Sequence, residues 1–412
     1  MVEIGWGADY SRGHMGLLDA PAPIRENLRS EWLLDPTITF LNHGSFGAVP
    51  RCVFEEQTRW RLRLEAEPIE LLGRRWAELL EDSRRAVGQW LGMQAENFGF
   101  VTNATEGINA VLRSIALRPA DELLTTTHVY HAVRQAMKHA ARHAGAGYRE
   151  IEIPLPVRSP GEIAERVLGG ITSATKLLIV DHVSSPTAIV FPVEQIAAEC
   201  AKRGVDVLID GAHGPGMLPL DVPGAGAAYY AGNLHKWACA PKGCGFLWVR
   251  PDRQAEIHPL VVSHFLGEGF AREFSWQGTR DISGWLSIPR AMQFMADLGW
   301  EQIMAHNHAM AAWVQQMLAE AWNVEPISPI DGSMLGSMAT VRLPAPLELM
   351  PEVQVPLIQQ RLYDQYRIEA PLMRWAGRTF ARPCCQVYNV QSEYEKLRDA
   401  VIEMAGDHQA SQ

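Results

Sequence analysis

The sequence predicts an α/β protein with a large domain built on a mostly parallel mixed sheet between helices, followed by a smaller C-terminal α+β domain. Three observations carry this. The chain has 412 residues, more than one core of ordinary size organises, so one larger and one smaller unit is expected. Short apolar runs alternate with helical patterns through the middle of the chain, the rhythm of strands joined by crossover helices. After about Asp281 that rhythm gives way to long helical stretches around a single strand-like segment.

Taken in order, residues 1–35 are rich in Gly and Pro and read as an N-terminal arm. The large domain is expected over residues 36–285. Its candidate strands are Phe98–Val101, Leu123–Thr126, Lys176–Asp181, Val205–Asp210 and Gly245–Val249, with helices over Glu106–Ile115, His131–Ala144 and Pro192–Arg203. The small domain is expected over residues 286–412. It holds a long helical stretch from Ser287 to about Trp322, a strand-like segment at Ser337–Leu343 and helices at Val353–Tyr366 and Ser392–Ala405. The tail Gly406–Gln412 is expected to fray.

Composition narrows the function. Hydrophobic residues are 47% and charged residues 20% of the chain, an ordinary globular balance. The net charge of −10 without a long basic run argues against nucleic acid or an anionic membrane as partner. Six cysteines, none in a C-x-x-C pair, suit a reduced compartment rather than a disulfide framework. No signal-peptide pattern and no apolar run of membrane-spanning length is read, so a cytoplasmic protein is expected. The glycine signatures of dinucleotide and P-loop sites are missing, as are H-E-x-x-H and G-x-S-x-G.

Chemistry gathers where strands end, which is where open α/β sheets bind ligands. The apolar run Val205–Ile209 ends in Asp210, with His213 three residues on. A carboxylate there can pair with a buried cationic ring nitrogen and keep the ring an electron sink, or it can simply cap the next turn. Lys236 follows in a loop flanked by Gly232, Trp237, Gly243 and Gly245, a setting for close packing rather than solvation. Burial lowers an ammonium pKa, and a free amine can form an imine. Lys242, in a Pro-Lys-Gly turn, is the competing lysine.

Thr102–Gly107 runs from a strand into a helix start, which can bind phosphate or carry an ordinary N-cap. Tyr130 and His131 follow another strand, where an aromatic ring could stack on a flat cofactor. Thr279, after Gly278, offers a hydroxyl to a phosphate oxygen. Arg382 lies in an apolar strand-like run and needs an anionic partner, either a substrate carboxylate or a structural acid.

Together and in this order, the segments from Phe40 to Asn389 resemble the class V aminotransferase group of fold-type I enzymes that use pyridoxal 5′-phosphate (PLP). Within that group they resemble the isopenicillin N epimerase branch, through Phe40–Pro50, Asn103–Gly107 and His182–Thr187. The resemblance implies roles. Lys236 forms the Schiff base with the cofactor, and Asp210 pairs with its ring nitrogen. His213 and Ser185 lie near the ring hydroxyl, Tyr130 stacks on the ring, and Ala104, Thr105 and His235 bind the phosphate. Thr279 reaches the phosphate of a neighbouring subunit, which implies a homodimer with shared active sites. Arg382 binds the α-carboxylate of an amino-acid substrate, with Asn42 and His43 on a loop nearby.

The implied reaction begins with loss of the Cα proton. Return of the proton on the other face is epimerisation; loss of a β-substituent, for example at a C–S bond, is a lyase reaction; proton transfer to the cofactor is transamination. Tyr130, His131 and His43 are the candidates for an acid on the second face. A PLP-fold protein that binds without turnover is the competitor from another class. Related cysteine desulfurases carry a nucleophilic cysteine upstream of the arginine, but residues 361–378 contain none here, and Cys384 and Cys385 are expected to be packed.

Overall fold

The computed structural model describes residues 18–410, with side chains to residue 408. Seven strands form the main sheet: β1 (Phe98–Val101), β2 (Glu122–Thr126), β3 (Gly147–Ile151), β4 (Thr175–Asp181), β5 (Asp206–Gly211), β6 (Tyr229–Asn233) and β7 (Gly245–Val249). Their order is β1-β7-β6-β5-β4-β2-β3. Only β7 is antiparallel to its neighbours, so the other six point their carboxyl ends to one edge.

Alternation along these strands feeds two cores. Leu177, Ile179, Leu208, Ala231 and Leu247 face α3 (Ala104–Ser114) and α4 (His131–Ala144), whose Ile108, Val111, Val133 and Met137 are buried against them. Leu178, Val180, Val207, Ile209 and Phe246 face the other way. There they meet a layer drawn from α1 (Arg51–Ala66), α2 (Trp76–Leu91), α5 (Pro160–Gly169) and α6 (Val193–Lys202). Helices α1, α2 and α5 and strands β3 and β6 are not among the expected elements. Strand β6 is buried at every position and built of Tyr, Ala, Gly and Asn, so it shows no alternation to read.

The C-terminal part has its own core. It is built on α8 (Trp300–Ala321), α9 (Val355–Tyr366), α10 (Gln391–Ala410) and a three-stranded sheet of β8 (Val341–Arg342), β9 (Leu372–Trp375) and β10 (Arg378–Ala381). The single helical stretch expected from Ser287 is two helices, α7 (Ile288–Leu298) and α8. Gly299 stands between them at φ 86°, where glycine alone is unstrained. Ile288 and Ala291 of α7 pack into the core of the large sheet.

Only Val341–Arg342 of the expected strand at Ser337–Leu343 forms a regular ladder. Its flanks still bond along residues 379–385, as in Ala339 N to Pro383 O and Leu343 N to Thr379 O. The tail expected to fray from Gly406 continues α10 to Ala410. Of the N-terminal arm, residues 1–17 lie outside the described residues, and Leu28 and Trp32 are buried, with Trp32 edge-on to Phe294 and Tyr388. No described helix is long and apolar enough to cross a membrane.

Candidate active site

Six strands ending on one edge bring their last residues and following loops together, and a cavity of about 450 Å³ opens there. Ala104, Thr105, Tyr130, Ser185, Asp210, His213, His235 and Lys236 all line it. Their sequence spacing is wide, but Asp210 is the last residue but one of β5 and each of the others follows the end of β1, β2, β4, β5 or β6.

Lys236 is the centre. Its Nζ lies 3.2 Å from His213 Nε2, and Trp237 Nε1 donates to His213 Nδ1 at 3.2 Å. Desolvation and the Arg382 guanidinium pull the Lys236 ammonium down to about 8, against the opposing pull of Asp210 and Cys384. Desolvation, with Lys236 and Arg382 close by, likewise holds the His213 imidazole well below its usual value.

The loop before α1 sets this arrangement. Gly47 has φ 71°, and a Cβ there would stand 1.9 Å from the His235 carbonyl oxygen. The residue is therefore glycine for both reasons: conformation and the close pass over the His235–Lys236 backbone. His43 lies behind that backbone rather than in the cavity. Its Nε2 bonds the Lys236 carbonyl at 3.0 Å and its Nδ1 bonds Tyr388 Oη at 2.8 Å, and desolvation lowers it to about 3. Asn42 is held by Glu369 and Ser45. From this loop it is Ser45 and Phe46, not Asn42 or His43, that line the cavity. His131 is likewise outside it.

At the helix start, Asn103 caps α3 by accepting from Glu106 N, and Ala104 N donates to Asn233 Oδ1 at 2.8 Å. His235 Nδ1 is engaged by the Cys244 carbonyl at 3.0 Å, which turns Nε2 away from that contact. Thr105 and His235 thus border the cavity beside the positive end of an eleven-residue helix.

Asp210 accepts from Ala212 N at 3.0 Å. Asp181, its register partner on β4, lines the same cavity and was not among the expected residues. One oxygen of Asp181 is buried without a partner among the described residues. Burial and the neighbouring Asp210 charge push the Asp181 carboxyl well above its usual range, and burial raises Asp210 as well, to about 6. The Ala212 N–H and the Lys236 charge oppose that rise at Asp210, which favours it over Asp181 as the anion of the pair. The sequence signal was present in the apolar strand ending at Asp181, but a second acid beside Asp210 becomes visible only in the sheet order.

Arg382 is buried. Its Nη1 donates to the carbonyl and, at 3.1 Å, to the hydroxyl of Ser185, while its Nε has no partner among the described residues. Among the described residues no acid pairs with it, and it stands behind the cavity wall rather than lining it. Cys384 and Cys385 are both buried, and burial raises both thiols, so neither is a ready thiolate. Lys242 borders the cavity, and desolvation lowers it as well. Thr279 is exposed and lies outside the cavity.

Tyr130, 43% exposed, and Ser185 also line a second cavity of about 510 Å³. Its far wall is the β9–β10 hairpin, with Met373 and Trp375. The Trp375 ring centroid lies 5.0 Å from that of His128. The ion pair Arg134–Glu150 and the exposed Glu152 complete the wall.

The groups lining the cavity fit a phosphorylated, aldehyde-bearing pyridine: an amine lowered to about 8, a carboxyl group and a helix start, with the Arg382 guanidinium buried behind Ser185. The first cavity is of ligand size. The aminotransferase class-V family profile matches residues 48–345. The chain is similar to isopenicillin N epimerase of Amycolatopsis lactamdurans, 32% identical over 92% of this chain and 98% of the relative. A probable chloroplastic L-cysteine desulfhydrase of Arabidopsis thaliana is 31% identical over 90% of this chain and 84% of the relative. In fold, a cysteine desulfurase of Thermococcus onnurineus NA1 superposes with a TM-score of 0.77 at 18% identity, over 94% of this chain and all of that one.

Proposed function

This chain belongs to the class-V aminotransferase family of fold-type I enzymes and its cofactor is PLP; from that premise we propose that it is an epimerase acting at the Cα of an amino-acid substrate. The observation that carries the reading is the pairing of a buried amine near neutrality with a second protic group in one cavity. Lys236 is held at about 8, and Tyr130 lines the same cavity.

Lys236 and Asp210 would hold the cofactor at its aldehyde carbon and ring nitrogen, with Thr105 and His235 at its phosphate and His213 and Ser185 near its hydroxyl. When bound, the cofactor supplies an electron sink for the pair left behind at Cα. Arg382, which reaches the cavity wall through Ser185, would orient the substrate through its carboxylate. The Lys236 amine takes the Cα proton on one face; an amine with a pKa near ambient pH is efficient in both directions of that transfer. Tyr130 returns a proton on the other face. Of the three second-face candidates it is the one that borders the cavity.

A lyase is the second reading, favoured by the desulfhydrase relatives at closely similar identity. The lack of a cysteine in residues 361–378 sets the chain apart from persulfide-forming chemistry on that loop. Thr279, exposed and away from its own cavity, suits a contact across a homodimer, which sedimentation of the cofactor-loaded protein would test.

The deciding experiment incubates the PLP-loaded protein with a panel of amino acids in deuterated water. An epimerase gives Cα exchange and both enantiomers with no release of keto acid or ammonia. Release of keto acid and ammonia moves the assignment to the lyase, and transfer of the amino group moves it to an aminotransferase.

A further inference from the structure

We infer that Trp237 is a positioning residue that fixes the tautomer of His213 and thereby favours the free-amine form of Lys236 over its ammonium. The argument follows donors and acceptors along one line. An indole N–H can only donate. Trp237 Nε1 lies 3.2 Å from His213 Nδ1, so Nδ1 must carry a lone pair. The neutral ring then has its proton on Nε2. That proton faces Lys236 Nζ at 3.2 Å, and Nζ can accept it only as an uncharged amine. An imidazolium would set two donors head to head at Nδ1, and an ammonium would set two at Nε2. Buried clashes of this kind leave donors unsatisfied, which disfavours both charged forms.

The indole cannot turn away from this contact. Trp237 is fully buried among Val183, Met217, Met338 and Cys384. Glycines allow the packing: a Cβ on Gly216 would come within 2.6 Å of the Trp237 backbone, and one on Gly44 within 3.3 Å of its ring. His213, at 2% exposure, has little solvent to offer a competing partner. The groups that bear on Lys236 are Arg382, Asp210, Cys384 and His213, and those on His213 are Lys236, Arg382 and His235. A change confined to the indole N–H leaves all of them in place.

This inference rests on Lys236 being the cofactor lysine, and its test has readouts that separate the two. The first is ¹⁵N nuclear magnetic resonance of histidine-labelled apoprotein at about pH 9, above the Lys236 value of about 8. His213, assigned by its loss in His213→Gln, is expected as the neutral ring protonated on Nε2. A ring protonated on Nδ1, or an imidazolium, would overturn the inference without any variant at Trp237. The second follows PLP uptake by the apoprotein against pH, trapped with borohydride and mapped to Lys236. Trp237→Phe keeps an aromatic ring but deletes the donor, so His213 Nε2 becomes free to accept from an ammonium. The uptake midpoint then moves up by about one unit, and uptake at pH 7 slows about tenfold. A folded Trp237→Phe protein with an unmoved midpoint would refute the relay. If wild-type protein takes no label on Lys236 at any pH, the functional reading fails, and the tautomer measurement still decides the relay.

Discussion

The two cavities that meet at Tyr130 and Ser185 are built by opposite means. The first is walled by strand ends and glycine-dependent close passes, and the ionisable groups at its centre are desolvated: Lys236 and His213 are pulled down and Asp181 is pushed up. The second is walled in part by a hairpin from the C-terminal part, whose tip carries Ala376 and Gly377 at positive φ, and its Glu152 is exposed. Low dielectric makes protons expensive to misplace in the first and cheap in the second. The difference suits the first cavity to proton transfer and the second to selection. On the proposed reading, bond chemistry at Cα falls to the edge of the sheet, and the hairpin walls the adjoining cavity, where it is the candidate to contact a substrate side chain.

The largest expected effect strikes the first cavity. Lys236→Ala removes the borohydride-trapped label and lowers Cα exchange by at least about 10²–10⁴-fold, read by mass spectrometry of substrate deuterium. A trapped label on Lys242 instead would move the chemistry to the neighbouring turn. Next, the two carboxylates should behave unequally. Asp210→Asn removes the anion and weakens the cofactor's electron sink, so exchange falls much further than in Asp181→Asn, which replaces a neutral acid by a neutral amide. Infrared spectra of the apoprotein near pH 7 should show an un-ionised carboxyl band that Asp181→Asn abolishes. Equal losses in both variants would erase the distinction between them.

The Asp181 proton also has a signature in stability. Its folded pKa is raised above the unfolded value, so the native state holds a proton that the unfolded chain releases. The contribution to stability is complete below the ordinary carboxylate range and declines as pH rises through the raised value. Asp181→Asn should flatten that part of the melting-temperature profile of the apoprotein.

A smaller effect is expected where the backbone makes the site. Gly47→Ala places a side chain in the left-handed region and against the His235 carbonyl, destabilising the fold by about 1–3 kcal/mol and lowering the melting temperature. The smallest effect on chemistry belongs to the second cavity. Trp375→Ala should leave trapping at Lys236 intact while shifting the ranking of substrates by side-chain size, measured as ratios of kcat/KM. An unchanged ranking would detach the hairpin from selection.

Much of the first cavity was legible because its residues directly follow strands that the apolar pattern marks: Asp210 ends one, and Thr105 and Tyr130 start the next helices. Asp181 was not, since its meaning depends on which strand lies beside β5. Asn42 and His43 were placed one step too close, because a loop motif does not say which of its residues turn inward. Gly47 decides that by pulling the loop onto the His235–Lys236 backbone.

The sequence by itself determined the α/β class, the resemblance to PLP enzymes and the amine at position 236, because strand periodicity and the residues at strand ends are local properties. Only the tertiary structure decided which groups face one another: Asp181 with Asp210, Trp237 through His213 to Lys236, and the hairpin with Tyr130. These are contacts between segments far apart in the chain, and protonation is set by such neighbours and by exclusion of water, neither of which a linear pattern contains.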